Sequence, residues 1–164
     1  MITISNATQD DIPDLVKLLN ILFRQEKEFD ENPELERKGL SAIISDPKTG
    51  VIIVAKENQK IVGMVNLLFT QSTALGSRVG IVEDMIVSIT SRAKGVGSKL
   101  MTRAVKLAKD NHCARITLLV DRDNLQAQHF YEHFGFKAST MVPFRLMIEE
   151  EEEKHLEQLK SRIK

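Results

Sequence analysis

Two acidic residues, Glu83 and Asp84, interrupt an apolar, β-branched run that extends from Ile81 to Val87. A carboxylate in such a run either lies at a solvated end of a sheet or is placed to transfer a proton. Side chains alternate between the two faces of a strand, so we expect the two acids to point to opposite faces and to have different roles. Residue type alone leaves both interpretations open for each acid.

A basic segment with two glycines follows this run, with the sequence Arg92-Ala93-Lys94-Gly95-Val96-Gly97. The next residues, from about Ser98 to Asn111, have the apolar spacing of a helix. The N–H groups that begin a helix lack intrahelical partners, and the helix dipole adds positive potential, so this arrangement is typical of an anion site. Glycines permit close approach, and Lys99 adds charge. The alternative is an ordinary basic connection, which Gly-x-Gly alone would favour.

Spacing excludes two familiar phosphate-binding loops. A P-loop requires Gly-x-x-x-x-Gly-Lys followed by Ser or Thr, and the chain contains no such stretch. A dinucleotide-binding fingerprint requires a third glycine at the position of Leu100. The motif that remains is Arg-x-x-Gly-x-Gly between a predicted strand and a predicted helix.

This motif, from Arg92 to Gly97, resembles the acyl-CoA signature of the GNAT superfamily of N-acetyltransferases. A second block resembles the family pattern Asn-x-x-Ala-x-x-Phe-Tyr followed by Gly-Phe. Its matching residues are Asn124, Ala127, Phe130, Tyr131, Gly135 and Phe136. Two blocks in the family's order are more specific than either block alone.

The resemblance implies that acetyl-CoA is the co-substrate. The residues implied in binding it are Met85, Ile86, Val87, Arg92, Lys94, Gly95, Val96, Gly97, Ser98 and Asn124. The pyrophosphate would bind the backbone N–H groups from about Lys94 to Ser98, and the pantetheine would run beside Met85 to Val87. Asn124 would hydrogen-bond the pantetheine or the adjacent backbone. Its alternative role is a helix cap, and the two roles are compatible.

The resemblance also implies two catalytic residues. Glu83 would act as the base, directly or through water, while Asp84 is expected to make a structural hydrogen bond. Tyr131 would donate a proton to the departing CoA thiolate; its alternative is a core aromatic whose hydroxyl is bonded to backbone. No set of Ser, His and Asp indicates covalent catalysis, so we expect direct transfer in a ternary complex.

The segment from His129 to His133 also spells His-x-x-Glu-His, a zinc motif of one metallopeptidase class. Histidines four residues apart on a helix have the spacing to chelate a metal. However, the second GNAT-like block already accounts for this segment, and no later segment offers a convincing third ligand. We therefore expect two solvated histidines and no metal.

The predicted elements alternate between strands and helices. The predicted strands are Ile2–Ile4, Val51–Lys56, Ile61–Phe69, Val79–Val87, a fully buried Arg115–Val120, Phe136–Ser139 and Phe144–Ile148. The predicted helices begin near Ile12, span Glu34–Ser45 and Ser98–Asn111, and include a short one that carries Ala127 and Phe130. This order predicts an α/β fold with a mixed sheet flanked by helices. The resemblance implies the GNAT fold, with a mostly antiparallel sheet whose central strands splay apart.

The length of 164 residues predicts one domain, comprising an acetyltransferase region 1–148 and a charged C-terminal helix or tail 149–164. Lys plus Arg and Asp plus Glu number 23 each, so no global field recruits nucleic acid or an anionic membrane. Cys113 is the single cysteine, and no apolar run reaches the length of a membrane span or a signal peptide. We expect a cytoplasmic monomer or homodimer.

The acceptor is an amine whose identity the sequence leaves open. In this family acceptor contacts come from the first two helices and their loop, here about Phe23 to Leu40, and from late strands. The loop residues Arg24, Glu26, Lys27 and Glu28 are mixed in charge. Small molecules and peptides both fit, and the alternatives are a protein N-terminal or lysine acetyltransferase and a CoA-binding regulator without turnover.

Overall fold

The structure is a computed structural model that describes residues 1–25 and 30–148. The chain divides into two units, Met1–Gln128 and His129–Lys164. The predicted C-terminal helix, 149–164, lies outside the described residues, as do Glu26, Lys27 and Glu28 of the loop expected to contact the acceptor. Within the described ranges, no helix combines the length and the apolar character needed to cross a membrane.

The described residues form five strands and four α-helices. The strands are β1 (Ile2–Asn6), β2 (Gly50–Glu57), β3 (Lys60–Ser72), β4 (Ser77–Val87) and β5 (Ile116–Leu118). The helices are α1 (Ile12–Phe23), α2 (Pro33–Ser45), α3 (Val96–Asp110) and α4 (Leu125–Glu132). Two 3₁₀ turns, Gln9–Asp11 and Ile89–Ser91, precede α1 and α3.

The five strands form one sheet in the order β1-β2-β3-β4-β5. Every neighbouring pair is antiparallel except β4 and β5, which are parallel. The pairing of β4 with β5 begins at Gly80 and stops at Val82, whereas β4 continues to Val87. The predicted mixed, mostly antiparallel sheet is therefore confirmed, and its strands part between β4 and β5.

Helices α1 and α2 cover one face of the sheet. The apolar stripe of α1 is buried against strand residues that include Ile52, Met64 and Ile86. Burial of each such aliphatic side chain contributes about 1.5–3 kcal/mol. Pro13 lies in the first turn of α1, where its missing N–H costs no intrahelical bond.

Helix α3 covers the opposite face. A Cβ added to Gly63 of β3 would lie 3.0 Å from Leu100 Cδ1 of α3. The next residue, Met64, belongs to the cluster around α1, as strand alternation requires. Glycine at position 63 thus allows α3 to approach the sheet closely, which fixes where the N-terminus of α3 lies relative to β4.

A hairpin joins β2 to β3. Its two turn residues, Asn58 and Gln59, have φ angles of 49° and 66°. Two consecutive left-handed residues are typical of the tight turn that matches the twist of a two-stranded ribbon. The hairpin aligns β3 with β2, and β3 in turn aligns β4.

Three predicted strands differ from the structure. β5 is short and only half-buried, with Leu119 and Val120 exposed after it, because it lies at an edge of the described sheet. The predicted strands Phe136–Ser139 and Phe144–Ile148 have no regular secondary structure. Strand propensity depends on finding a pairing partner, and residues 136–148 pair with none among the described residues.

The ion pair between Asp11 and Lys56 joins the start of α1 to β2. Lys56 Nζ lies 2.7 Å from Asp11 Oδ1, and the two side chains are only 26% and 11% exposed, respectively. Burial raises the pKa of Asp11, but the hydrogen bonds from Lys56 and Thr8 and the charge of Lys56 outweigh it. The net effect is a pKa below the usual value.

A lowered folded-state pKa contributes stability that is present above the unfolded pKa and lost as pH falls through the folded value. We therefore expect Asp11→Asn to lower the free energy of unfolding by about 1 kcal/mol at pH 7. The difference from wild type is expected to shrink below about pH 4. Urea unfolding at pH 7 and pH 3 measures it. Asp14→Asn, in an exposed pair with Lys17, is the control expected to change little; equal losses in both variants would contradict the prediction.

Candidate active site

The N-terminus of α3 is open to an anion. Its cap residue, Gly95, has φ 74° and ψ 9°, and no described side chain caps the helix. The first turn contains no acidic residue. The N–H groups of Val96, Gly97 and Ser98 therefore lack intrahelical partners. Glycine is required at position 95 because a residue with a Cβ is strained at this φ.

Positive charge surrounds this helix start. The Nε of Arg92 donates to the carbonyl of Val87 over 3.1 Å, which ties the loop to the end of β4. Arg92 and Lys94 are both exposed. A shallow concavity beside α3 continues the charge along the helix; its lining residues are Ile4, Ser98, Lys99, Thr102, Arg103 and Lys106. The chain has no net charge, so this is a local field.

Beyond Val82, no described strand pairs with this edge of β4, because β5 has already ended. Three residues predicted to bind the cofactor, Met85, Ile86 and Val87, lie on this part of β4. The side chain of Ile86 is buried in the cluster around α1, so only its backbone is available to a ligand. The same holds for Val96, which is 1% exposed.

A β-bulge distorts β4 at this point. Met64 pairs with Ile86 and Asn66 pairs with Glu83, so Val65 alone lies opposite two residues of β4. Asp84, one of the two, has φ 45°. This left-handed conformation is uncommon for a residue other than glycine, and such strain often occurs at functional sites.

The bulge corrects the expectation for the two acids, which was that they point to opposite faces. Asp84 Oδ2 accepts a hydrogen bond from Asn66 Nδ2 at 2.6 Å. Glu83 is the cross-strand partner of the same Asn66, and directly opposed residues share a face of the sheet. Both acids therefore adjoin one amide. Glu83 is exposed and Asp84 is half-buried. The hydrogen bond expected for Asp84 is confirmed.

Asn66 is a site residue that the sequence analysis missed. It is 2% exposed, and its Oδ1 has no hydrogen-bond partner among the residues that the structure describes. The available signal was a lone amide within the apolar run Ile61–Phe69. That signal gives no indication of a partner, because Asp84 lies in the next strand.

Asn124 caps α4. Its Oδ1 accepts a hydrogen bond from the N–H of Ala127 at 3.1 Å, so the predicted capping alternative is confirmed. Its role toward a cofactor stays a prediction, and capping does not compete with it, because the side-chain NH₂ group is separate from the capping oxygen.

Tyr131 belongs to the second unit. Its ring packs edge-on against Phe130 and Phe136, with centroid separations of 5.2 Å and 5.9 Å. Burial raises the pKa of the Tyr131 hydroxyl above its usual value. Within the described part of this unit, 129–148, the hydroxyl has no hydrogen-bond partner, so the alternative of a hydroxyl bonded to that unit's backbone gains no support.

The His-x-x-Glu-His segment has local hydrogen bonds. His133 Nδ1 donates to the carbonyl of His129 at 2.6 Å, and His129 Nδ1 lies 3.2 Å from Glu132 Oε2. His129 and Glu132 are largely exposed. Within residues 1–25 and 30–148, no three His, Cys, Asp or Glu side chains are grouped to hold a metal. The absence of a metal stays a prediction.

The mixed sheet, its parted strands and the glycine-rich start of α3 define an α/β protein of the acetyltransferase class. Residues 13–136 match the acetyltransferase (GNAT) family, and the chain belongs to this family.

One similar protein is named an N-acetyltransferase, and a similar solved structure is named a transcriptional regulator. The chain is 30% identical over 122 residues to the uncharacterized N-acetyltransferase YhfO of Bacillus subtilis, covering 73% of this chain and 81% of that protein. A transcriptional regulator from Bacillus halodurans C-125 has a similar crystal structure, with 30% identity, a TM-score of 0.77 and coverage of 90% of this chain and 100% of that chain.

A possible acetyltransferase from Clostridium difficile 630 shares the fold, with a TM-score of 0.80 and 19% identity over 92% of this chain and 99% of that chain. The family match and the relative named an N-acetyltransferase show that the protein is an acetyltransferase with the GNAT fold.

Proposed function

We propose that the protein transfers the acetyl group of acetyl-CoA to a primary amine by direct attack in a ternary complex. The observation that carries this proposal is the uncapped, basic start of α3 beside the unpaired edge of β4. The start of α3 suits a pyrophosphate, and the edge of β4 suits an extended chain with amide groups. Acetyl-CoA contains both.

The proposed cofactor contacts are mainly backbone contacts. The pyrophosphate accepts hydrogen bonds from the N–H groups of Gly97 and its neighbours at the start of α3, with Arg92 and Lys94 supplying charge. The pantetheine amides pair with the edge of β4 from Met85 to Val87, in the manner of an added strand. The Val87 carbonyl is excepted, because it already accepts a hydrogen bond from Arg92. The side-chain NH₂ group of Asn124 is available to donate a hydrogen bond to the pantetheine.

The acceptor arrives mainly as an ammonium ion, because amines of pKa near ~10 are protonated at neutral pH. In the proposed mechanism Glu83 takes one proton, directly or through water, and the amine nitrogen attacks the thioester carbon. The carbon–nitrogen bond forms, the carbon–sulfur bond breaks, and the nitrogen loses its second proton. The sulfur leaves as a thiolate. The exposure of Glu83 provides a route for the proton to solvent.

Tyr131 is the proposed donor to the thiolate. A phenol of pKa about 10 is a weaker acid than a thiol of pKa about 8.5, so complete proton transfer to the sulfur costs about 2 kcal/mol. Burial raises the pKa of Tyr131 further. The hydroxyl is therefore best suited to donate a hydrogen bond as the charge develops on sulfur, and solvent completes the protonation.

The acceptor class, the location and the assembly are parts of the same proposal. We propose an amine acceptor, either a small molecule or a peptide, a cytoplasmic location, and a monomer or homodimer without nucleic-acid or membrane partners. The deciding experiment is a screen of acetyl-CoA consumption across small amines, lysine peptides and peptides with free N-termini. Turnover of peptides alone would favour a protein acetyltransferase. Binding of acetyl-CoA without turnover of any amine would instead indicate a regulator.

Gly97→Val tests the pyrophosphate site. We expect this variant to weaken acetyl-CoA binding at least about 10-fold, because the side chain lies where the anion must approach the N–H groups. Calorimetric titration measures the dissociation constant. Gly39→Val is the matched control, since Gly39 is exposed in α2 and a Cβ there meets no atom within 4 Å. Equal affinities in Gly97→Val and wild type would place the phosphate site elsewhere.

Glu83→Gln tests the base. We expect turnover to fall by on the order of 10²-fold, because the amide cannot accept the ammonium proton, while acetyl-CoA affinity stays unchanged. Steady-state rates from pH 6 to pH 10 measure the effect, and the loss is expected to diminish as the amine deprotonates in solution. Glu57→Gln, at the end of β2, is the control. Full activity of Glu83→Gln at every pH would remove Glu83 from the mechanism.

Tyr131→Phe tests the proton donor. We expect turnover at least ~10-fold below wild type with similar melting and similar acetyl-CoA affinity, because the ring remains and only the hydroxyl is lost. Phe136→Leu, which removes a ring that packs on Tyr131, measures the contribution of packing alone. A stability loss of about 1 kcal/mol without a kinetic effect in Tyr131→Phe would assign the hydroxyl a structural role.

A further inference from the structure

The hydrogen bond between Asn66 and Asp84 determines how the Asn66 amide is oriented. Asp84 Oδ2 lies 2.6 Å from Asn66 Nδ2. An ionised carboxylate only accepts hydrogen bonds, so the nitrogen of the amide must face it. The oxygen then necessarily points elsewhere. Rotating the amide by half a turn would place two acceptors against each other.

Asn66 Oδ1 is therefore a buried hydrogen-bond acceptor that needs a donor. No described residue supplies one, and the side chain is 2% exposed. A buried acceptor without a donor is costly and uncommon in folded proteins. Such a group calls for an N–H or O–H donor that comes from outside the described residues.

The groups beside this oxygen indicate a cation. Asp84 bonds to the same amide, and Glu83 is the cross-strand partner of Asn66. A positively charged donor is attracted by both carboxylates, whereas an anion or an apolar group is not. Exposure decreases from Glu83, which is exposed, through half-buried Asp84 to buried Asn66. The Asn66 oxygen is thus the most buried member of the group, and the two acids are its more exposed neighbours.

The backbone of the bulge is an independent observation at the same place. Asp84 adopts φ 45°, and the extra residue of β4 lies next to it. Without the bulge, alternation would send the side chains of Glu83 and Asp84 to opposite faces. The strain is consistent with a local structure that presents two acids to one amide.

We propose that Asn66 Oδ1, Asp84 and Glu83 form the subsite that receives the ammonium group of the acceptor, so that the substrates are cationic primary amines. This inference rests on the proposed amine acetylation and deepens it. The ammonium donates one N–H to Asn66 Oδ1 and is held by the charge of Asp84. Glu83 then takes one of the other two ammonium protons, and the neutral amine attacks. Asn66 is a positioning and specificity residue for the amine.

The binding test uses two cations of equal charge, of which only one has N–H donors. n-Butylammonium has three N–H groups, and butyltrimethylammonium has the same charge but none. Nuclear magnetic resonance of ¹⁵N-labelled wild-type protein follows the side-chain NH₂ of Asn66 during titration with each. We expect a saturable shift with n-butylammonium and none with butyltrimethylammonium. We expect Asp84→Asn to lose the saturable response. Equal responses to both cations, or no saturable response to either, would overturn the inference.

The kinetic test uses Asn66→Leu, which keeps the size of the side chain and removes its oxygen. We expect the KM for n-butylamine, or for the best amine of the acceptor screen, to rise at least about 10-fold, as for loss of a hydrogen bond to a charged group. The acetyl-CoA dissociation constant is expected to stay within about 2-fold of wild type, since the change removes no proposed cofactor contact. An unchanged amine KM would show that Asn66 only supports the bulge.

Asn20→Leu is the matched control. With its side-chain nitrogen facing Glu36, Asn20 donates to both oxygens of that carboxylate at 3.0 Å. Asn20→Leu therefore removes a similar amide–carboxylate pair, in this case between α1 and α2. We expect a loss of stability without a change in amine KM. A KM increase equal to that of Asn66→Leu would overturn the assignment to Asn66. If Asn66→Leu fails to fold, the two cation titrations on wild type and Asp84→Asn still decide whether the subsite binds an ammonium group.

The two proposals fail separately. Selective binding of n-butylammonium without acetylation of any amine would reject the proposed function and support the subsite. Acetylation of amines with an unchanged KM in Asn66→Leu would support the proposed function and reject the subsite.

Discussion

The partial pairing of β4 is the constraint on which the rest of the site depends. β4 pairs with β3 from Ser77 to Val87, but with β5 only up to Val82. Beyond Val82, β4 is therefore held by β3 on one edge, and no described strand pairs with the other edge. A fully paired strand would have no free amide groups for a ligand, and a strand free on both edges would lack a fixed position. The structure supplies a rigid strand with one edge open.

The hydrogen bond from Asn66 to Asp84 offsets the strain within this strand. A left-handed conformation costs a residue with a Cβ about 1–2 kcal/mol. A hydrogen bond to a charged group contributes about 1.5–3 kcal/mol, so the two terms are of similar size. The cost that stays uncompensated is the buried oxygen of Asn66. One side chain therefore serves both the strand and the proposed amine subsite: its nitrogen bonds Asp84, and its oxygen is the acceptor that we assign to the amine.

The two faces of the sheet carry groups of opposite charge. On one face α3 approaches closely over Gly63 and carries the positive helix start that suits the anionic cofactor. On the other face, which α1 and α2 cover, Asn66 lies two residues along β3 from Met64 of the α1 cluster. The acidic pair adjoins that face and suits a cation. Opposite charges on opposite sides of one strand would keep cofactor and amine apart except at the open edge of β4.

The sequence by itself determined the features that depend on neighbouring residues. The glycine segment before α3, the hairpin around Asn58, Pro13 in the first turn of α1 and the cap at Asn124 follow from local backbone and hydrogen-bond chemistry. Together with the two motif blocks, they were sufficient to predict the fold class and most of the candidate site.

Only the tertiary structure decided the features that depend on how strands pair. Alternation predicted opposite faces for Glu83 and Asp84, but it assumes an unbroken register, and one extra residue in β4 changes that register. Asn66 and Asp84 are 18 residues apart, so nothing local joins them. Likewise, the apolar residues after Leu118 and after Phe136 have strand propensity, yet a strand forms only where a partner completes its hydrogen bonds. Pairing between distant segments is a property of the folded chain, and it placed the buried amide beside the two acids.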